Sequence, residues 1–268
     1  MLIGAMNHPG RSLTEQIQWL SQSGFGFLDL TLEPPHAASW NIDVPAIKRM
    51  LADSKLSVVG HTAPFLPVAS PVEELRRAAI LEFRRDIDVF QKVGARWMNV
   101  HPGTSPMHDR AFTVERNLES LRELLSYAKN AGVGVMIENI PGRFNTAQEL
   151  SELLDPLPEL GLHLDIGHAN LMTASNTTRE IIATHGHRLK HVHLHDNRGG
   201  NQDLHLPLGA GDVDLADSVT ALKSCGYDGT ITLEVFAADL NHLLYSRNLL
   251  QQTWSASAEP LRKQRTSR

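Results

Sequence analysis

The chain has 268 residues, with 25 Lys and Arg against 30 Asp and Glu for a formal charge of −5, and it is 41% hydrophobic and 21% charged. Cys225 is the single cysteine, which excludes a disulfide framework or a Cys-rich zinc module, and the acidic balance lacks the bulk positive field of a protein that grips DNA mainly through phosphates. No stretch approaches the roughly 18 consecutive apolar residues of a membrane span, and Met1 to Gly10 has no basic segment leading into an apolar run, so a cytoplasmic protein with no membrane partner is expected.

Apolar runs bounded by Gly, Pro or Asn alternate with stretches of helical spacing along the whole chain. Leu2–Met6 precedes a helix predicted over Thr14–Ser23, Phe27–Leu32 one over Val44–Ser54, and Ser57–His61 one over Val72–Val93. Trp97–His101 is followed by Val114–Ala131, Gly134–Asn139 by Thr146–Leu154, and Gly161–Asp165 by Arg179–His185. His191–Asp196 leads to Leu215–Ser224, and Thr230–Val235 to a last helix near Leu240–Thr253. Ser12 and Thr14-Glu15 read as helix starts, and Gly24, Gly94, Gly132 and Gly226 as C-caps that pass into strands. Strict alternation implies parallel strands with crossover helices. Eight such units predict a single (β/α)8 TIM barrel over residues 1–254, and no G-x-G-x-x-G follows the first strand to favour an open doubly wound sheet. Residues 255–268, with Arg262-Lys263-Gln264-Arg265, read as a polar, basic, disordered C-terminal tail, or else a weak polyanion contact.

In a barrel the last inward residue of each strand lies at the C-terminal mouth, where active sites are built. That position is His61 in the third run, His101 in the fourth, Glu138 in the fifth, Asp165 in the sixth and Glu234 in the eighth. The seventh run sets His191, His193 and His195 on one face. A lone strand-end His or Glu is more often a hydrogen-bonded capping group than a ligand. Five such ends together are different, because burying unpaired ionisable groups side by side is costly unless cations neutralise them. His168, three residues past Asp165, and the pair Asp203 and His205 add further donors. Mixed imidazole and carboxylate ligands suit Zn²⁺ best, with Mn²⁺ or Fe²⁺ tolerable. His163, His191 and His195 are read equally as ligands or as packed polar groups behind them. His8, His36, His108, His185, His187 and His242 carry no positional argument and are expected at the surface or in loops. Glycines 199, 200, 209 and 211 shape a loop and lack the helix-opening context of a phosphate cradle.

The motifs His61-Thr-Ala-Pro-Phe65, Asn99-Val-His101-Pro-Gly103, Ile137-Glu138-Asn139, Leu164-Asp165-Ile-Gly-His168, His193-Leu-His195-Asp196, Asp203-Leu-His205 and Leu233-Glu234 resemble the xylose-isomerase-like TIM barrel superfamily. That group includes endonuclease IV (AP endonuclease family 2) and sugar or sugar-phosphate isomerases and epimerases. Resemblance to endonuclease IV implies three zinc ions: His61 and His101 on the first, Glu138 bridging to the second, Asp165, His193 and Glu234 on the second, and His168, Asp203 and His205 on the third. The isomerase and epimerase branch implies a single ion, Mn²⁺ or another divalent metal, on Glu138, Asp165, His193 and Glu234, with the two glutamates as acid and base. Two departures from the nuclease stand out. The segment after His61 has one extra residue and Phe65 in place of a tyrosine, and Glu33-Pro-Pro-His-Ala-Ala-Ser-Trp40 contains no Lys or Arg with which to bend DNA.

The expectation is therefore a metal-dependent hydrolase of a phosphoester or phosphodiester, favoured over an isomerase or epimerase because the imidazole count exceeds what one ion would use. A metal-activated hydroxide would be the nucleophile. The partner is a small phosphoester or sugar phosphate, with DNA not favoured, and a barrel that holds metal without catalysis is the third reading. Glu138 and Glu234 are the catalytic candidates. Arg198 and Arg143 are read as a phosphate clamp or as solvated loop cations, and Trp40, Phe65, Leu66 and Phe144 as an apolar rim.

Overall fold

A computed structural model describes residues 1–105 and 107–257. Eight parallel strands close into one barrel in sequence order: β1 Leu2–Met6, β2 Phe27–Leu32, β3 Ser57–Thr62, β4 Trp97–Val100, β5 Gly134–Glu138, β6 Gly161–Asp165, β7 Leu189–Leu194 and β8 Thr230–Leu233. Each is followed by a helix: α1 Leu13–Gln22, α2 Val44–Asp53, α3 Glu73–Val93, α4 Arg110–Ala131, α5 Ala147–Leu154, α6 Thr178–His185, α7 Leu215–Ser224 and α8 Asn241–Ala256. The predicted TIM barrel is the observed fold.

Side-chain caps set several helix starts. Asp43 accepts from Ala46 N at 3.0 Å, Asp109 from Phe112 N at 2.8 Å and Asp214 from Asp217 N at 2.9 Å, while Thr146 and Glu149 form a reciprocal capping box. The Asp109 cap is why α4 begins at Arg110 and not at Val114. At the C-termini of α3 and α4, Gly94 and Gly132 take the left-handed conformation, with φ of 88° and 71°.

Outward residues of the strands, such as Leu28, Leu30, Val135, Ile137, Leu162 and Leu164, pack against the helices in one continuous core. Inward residues build layers. At the N-terminal end Phe27, Val59 and Met136, with Trp97 against them, form a separate apolar cluster. A Cβ on Gly4 would lie 2.6 Å from the Phe27 ring and one on Gly134 2.3 Å from Trp97, so bare backbone there makes room for these large rings. Above that plug the lumen is dominated by polar side chains, among them Asp29, His163, His191 and His193.

Several boundaries differ from expectation. β4, β5, β7 and β8 stop at Val100, Glu138, Leu194 and Leu233, one or two residues earlier than predicted. β7 starts at Leu189, two residues sooner than predicted. Ser255 and Ala256 belong to α8, whose end is tied down by Lys223 Nζ donating to Trp254 O at 2.7 Å and Ser257 O at 2.6 Å. The rest of the predicted tail, with Arg262 to Arg265, lies outside the described residues. Among the described residues no helix is long and apolar enough to cross a membrane.

Candidate metal centre

The C-terminal mouth opens into a cavity of about 840 Å³ lined by His61, His101, Glu138, His168, Asp203, His205 and Glu234. Asp165 and His193, both 0% exposed, are packed behind this lining. The fold thus brings all nine predicted ligands together, in three contiguous groups.

In the first, His101 Nε2 is 3.1 Å from Glu138 Oε2, and donor atoms of His61, Glu138 and His193 lie within 4.8 Å of one another. In the second, Asp165, His193 and Glu234 satisfy the same limit, with His193 Nδ1 3.2 Å from Glu234 Oε2. In the third, Asp203 Oδ2 stands 3.1 Å from both His168 Nε2 and His205 Nε2. His195, left open by the sequence, belongs beside this third group: its ring stacks on His205 at 4.1 Å, and its Nε2 is 3.4 Å from Asp165 Oδ1.

Backbone constraints hold the loops that supply these groups. Gly167 separates Asp165 from His168, and a Cβ there would sit 2.2 Å from the His195 ring. Asn139 Oδ1 accepts from Asp165 N at 2.7 Å, and the Asn139 carbonyl is 2.9 Å from His168 Nδ1. Asp196 gathers the loop that carries Asp203 and His205 by accepting from Gly209 N, Gly211 N and Val213 N at 2.9–3.0 Å. His205 itself has φ of 44°, the left-handed region that L side chains disfavour, at a residue facing the cavity.

The electrostatics fit divalent cations. His61 Nε2, Asp165 Oδ2 and His195 Nε2 are buried with no hydrogen-bond partner, and an unpaired buried donor or acceptor costs about 1–3 kcal/mol. Burial opposes the charged forms of Glu138 and Asp165, yet His163 and His101 around the first and His168 and His195 around the second hold both pKa values well below the carboxylate range. Burial likewise disfavours charging His168 and His193, but Asp165 and Asp203 overcome it for the former, and Glu234 and Asp29 for the latter, so both pKa values stand well above the imidazole range. These carboxylates therefore demand positive charge beside them. His and carboxylate donors of this kind are the types that hold a divalent metal ion.

Other predicted site residues lie elsewhere. Phe65 and Leu66 line the cavity, but Trp40, 67% exposed, does not, and Phe144 is fully buried behind Arg110. Arg143 and Arg198 are absent from the wall, and among the described residues that line the cavity there is no Lys or Arg. The clamp reading thus finds no support in the cavity wall, and the alternative of loop cations stands for both. His185, expected at the surface, is 3% exposed, its Nε2 3.1 Å from Ser151 Oγ and Ala147 O.

Sequence reasoning passed over four residues of the site. Asp29 on β2 is 0% exposed and 2.7 Å from His193 Nε2. Asn99 donates to Glu138 Oε2 at 2.8 Å. Glu33 is half-buried in the cavity wall, with its pKa raised by burial. Phe236 stacks on His205 at 4.3 Å. The inward alternation of β2 and β4 was the available signal for Asp29 and Asn99.

Comparison with known proteins follows the same lines. An uncharacterized protein of Methanocaldococcus jannaschii, MJ1311, is 29% identical over 236 residues, covering 83% of this chain and 79% of that protein. A probable endonuclease 4 of Aquifex aeolicus is 28% identical over 244 residues, covering 83% and 86%. In three dimensions the chain is similar to a D-tagatose 3-epimerase-like protein, with a TM-score of 0.84 at 25% identity over 95% of this chain and 97% of that one. With residues 17–263 matched by its family model, the chain belongs to the xylose isomerase-like TIM barrel family.

Proposed function

We propose that the mouth is a divalent-metal centre, with zinc at up to three positions, that hydrolyses a phosphoester or phosphodiester bond of a small substrate. The observation that carries this reading is the convergence of nine imidazole and carboxylate side chains in three contiguous groups, several more than a one-ion site would use. His61, His101 and Glu138 would hold the first ion, Glu138, Asp165, His193 and Glu234 the second, and His168, Asp203 and His205 the third. Bound there, the ions would supply charge neutralisation at the phosphoryl oxygens and a water acidic enough to act near neutral pH.

The chain's own groups do the rest. Glu138, fixed by Asn99, orients the attacking water from between the first and second groups. Glu33 can keep a proton to higher pH than an ordinary glutamate and hand it to a leaving oxygen. Phe65, Leu66 and Phe236 exclude bulk water from one side of the cavity. The cavity volume suits a small molecule, and the lack of wall cations disfavours a DNA backbone.

A second reading is supported by the likeness to the D-tagatose 3-epimerase-like protein and by the same lack of wall cations, which suits an uncharged polyol. Glu138 and Glu234 would then remove and return a proton at the carbon beside a carbonyl, with Asp165 and His193 completing a one-ion set for Mn²⁺ or a similar metal. His61 and His101 would bind substrate hydroxyls. Elemental analysis of untagged, chelator-free protein, paired with turnover of phosphomonoesters, phosphodiesters and ketoses, decides between them. Two or three zinc ions with phosphoester turnover are expected. One ion with ketose epimerisation would overturn the hydrolase reading in favour of the second.

A further inference from the structure

Below the mouth, the lumen holds a layer of ionisable side chains where barrels normally carry Val, Ile and Leu. Asp29, His163 and His191 are each at most 1% exposed, with Thr230 and Thr232 beside them on β8. The hydrogen bonds that join His191 and the two threonines to Asp29 run in one direction. Thr232 Oγ1 donates to Asp29 Oδ2 at 2.8 Å and so has no proton left to give. Its contact with His191 Nε2 at 3.0 Å must then be a bond donated by that nitrogen. The other ring nitrogen of neutral His191, Nδ1, accepts from the Thr230 hydroxyl at 2.7 Å. The chain Thr230, His191, Thr232 thus delivers its last proton to Asp29. On the same carboxylate oxygen, His193 Nε2 sits at 2.7 Å, and an ionised Asp29 can only accept. With the Nε2 proton committed to Asp29, a cation can replace the second ring proton of His193 only at Nδ1, the atom 3.2 Å from Glu234 Oε2 and 4.0 Å from Asp165 Oδ2.

We propose that Asp29, itself fixed by the Thr230–His191–Thr232 chain, is the positioning residue that selects the His193 tautomer and ring orientation needed to present Nδ1 to a divalent cation at the mouth. This rests on the metal reading above and extends it one layer down. A ring held by a carboxylate on its far nitrogen is a better and better-aimed ligand, and losing such a partner typically lowers metal affinity about 10- to 100-fold. The same layer explains why β2 places an aspartate among apolar residues with no access to solvent. Unpaired it would be costly there, whereas two donors to Oδ2 and a cation beyond His193 stabilise it.

The test uses the full chain loaded with zinc, and separately with Co²⁺ in competition with a chromogenic chelator. In the zinc-loaded protein, ring ¹H–¹⁵N correlations of His193 should show Nδ1 coordinated and an exchange-protected proton on Nε2. Asp29→Asn, which keeps the shape and loses the charge, should weaken Co²⁺ binding about tenfold and expose the Nε2 proton to exchange. Should that variant fail to fold, Thr232→Val removes the hydroxyl alone. It should weaken Co²⁺ binding several-fold, and Thr232→Ser should restore it. Coordination through Nε2, or unchanged Co²⁺ affinity and proton exchange in both Asp29→Asn and Thr232→Val, would overturn the assignment while leaving the metal reading intact. A wild-type chain that takes up neither metal would overturn the metal reading itself, and this assignment with it.

Discussion

Asp196 Oδ2 accepts the backbone N–H of Gly211 at 2.9 Å, and through this bond a carboxylate two residues past the end of β7 ties down the far side of the loop that carries Asp203 and His205. The same side chain holds Gly209 N and Val213 N. A Cβ on Gly211 would lie 2.2 Å from Asn197 O. Asp196→Ala strands these three N–H groups and that of Asn197, four in all, and is expected to cost about 1–3 kcal/mol of stability or more. On the metal assignment proposed above, it should release the ion at His168, Asp203 and His205 before the others. Metal content should fall by about one equivalent, on the three-ion arithmetic of such sites, and a loss spread evenly over all positions would contradict the placement of that loop.

His101 and Glu138 face each other at 3.1 Å but carry different weight in the two readings. Glu138→Gln should lower turnover about a thousandfold in either, the scale of losing a central electrostatic group. His101→Ala should cost a phosphoesterase about a hundredfold in kcat, whereas an epimerase would lose mainly hydroxyl binding, seen as raised KM. Near-normal phosphoester turnover by His101→Ala would refute the three-ion assignment.

A separate prediction concerns Asp86 on α3, remote from the mouth. It is 1% exposed, neither carboxylate oxygen has a partner, and burial followed by the nearby charge of Glu82 pushes its pKa up to about 8. The folded state therefore keeps a proton that the unfolded chain releases near the ordinary carboxylate value. This contribution is fully present at acid pH, declines as pH rises through the window from about 4 to about 8, and is lost above it. Each unit crossed corresponds to about 1.4 kcal/mol at most. Asp86→Asn should remove that dependence, so that urea midpoints of variant and wild type lie closest near pH 4 and diverge toward pH 8 in favour of the variant. A constant difference across that range would show that Asp86 is ionised in the fold.

Phe65 and Trp40 provide a paired control. Phe65 lines the cavity and Trp40 does not, although both are exposed aromatics on neighbouring loops. Phe65→Ala should raise KM several-fold, in keeping with about 1 kcal/mol or more from the loss of apolar contact area. Trp40→Ala should leave steady-state kinetics within error of wild type.

The barrel and the gathering of candidate ligands at its mouth were legible because both follow from strand periodicity: alternation gives the strands, and the final inward position gives His61, His101, Glu138, Asp165 and Glu234. What escaped was of two kinds. Asp29 sits one inward position deeper and reads as a stray charge in Phe-Leu-Asp-Leu-Thr-Leu, because its meaning comes from residues on β7 and β8 more than 150 positions away. Arg143, Arg198 and Trp40 were assigned by loop membership, and a loop sequence does not encode which way a side chain swings. His185 illustrates the converse: the end of a short helix is buried because α5 packs over it, through Ser151 and the Ala147 carbonyl.

The apolar plug of Phe27, Val59, Met136 and Trp97 makes the lumen a blind well. Substrate, product, solvent and any ion must then enter and leave by the same rim, so loading order matters: a bound substrate would trap whatever lies beneath it. Chelators should strip the resting protein far faster than the protein in turnover, with the ligands nearest the floor last to give up their ion.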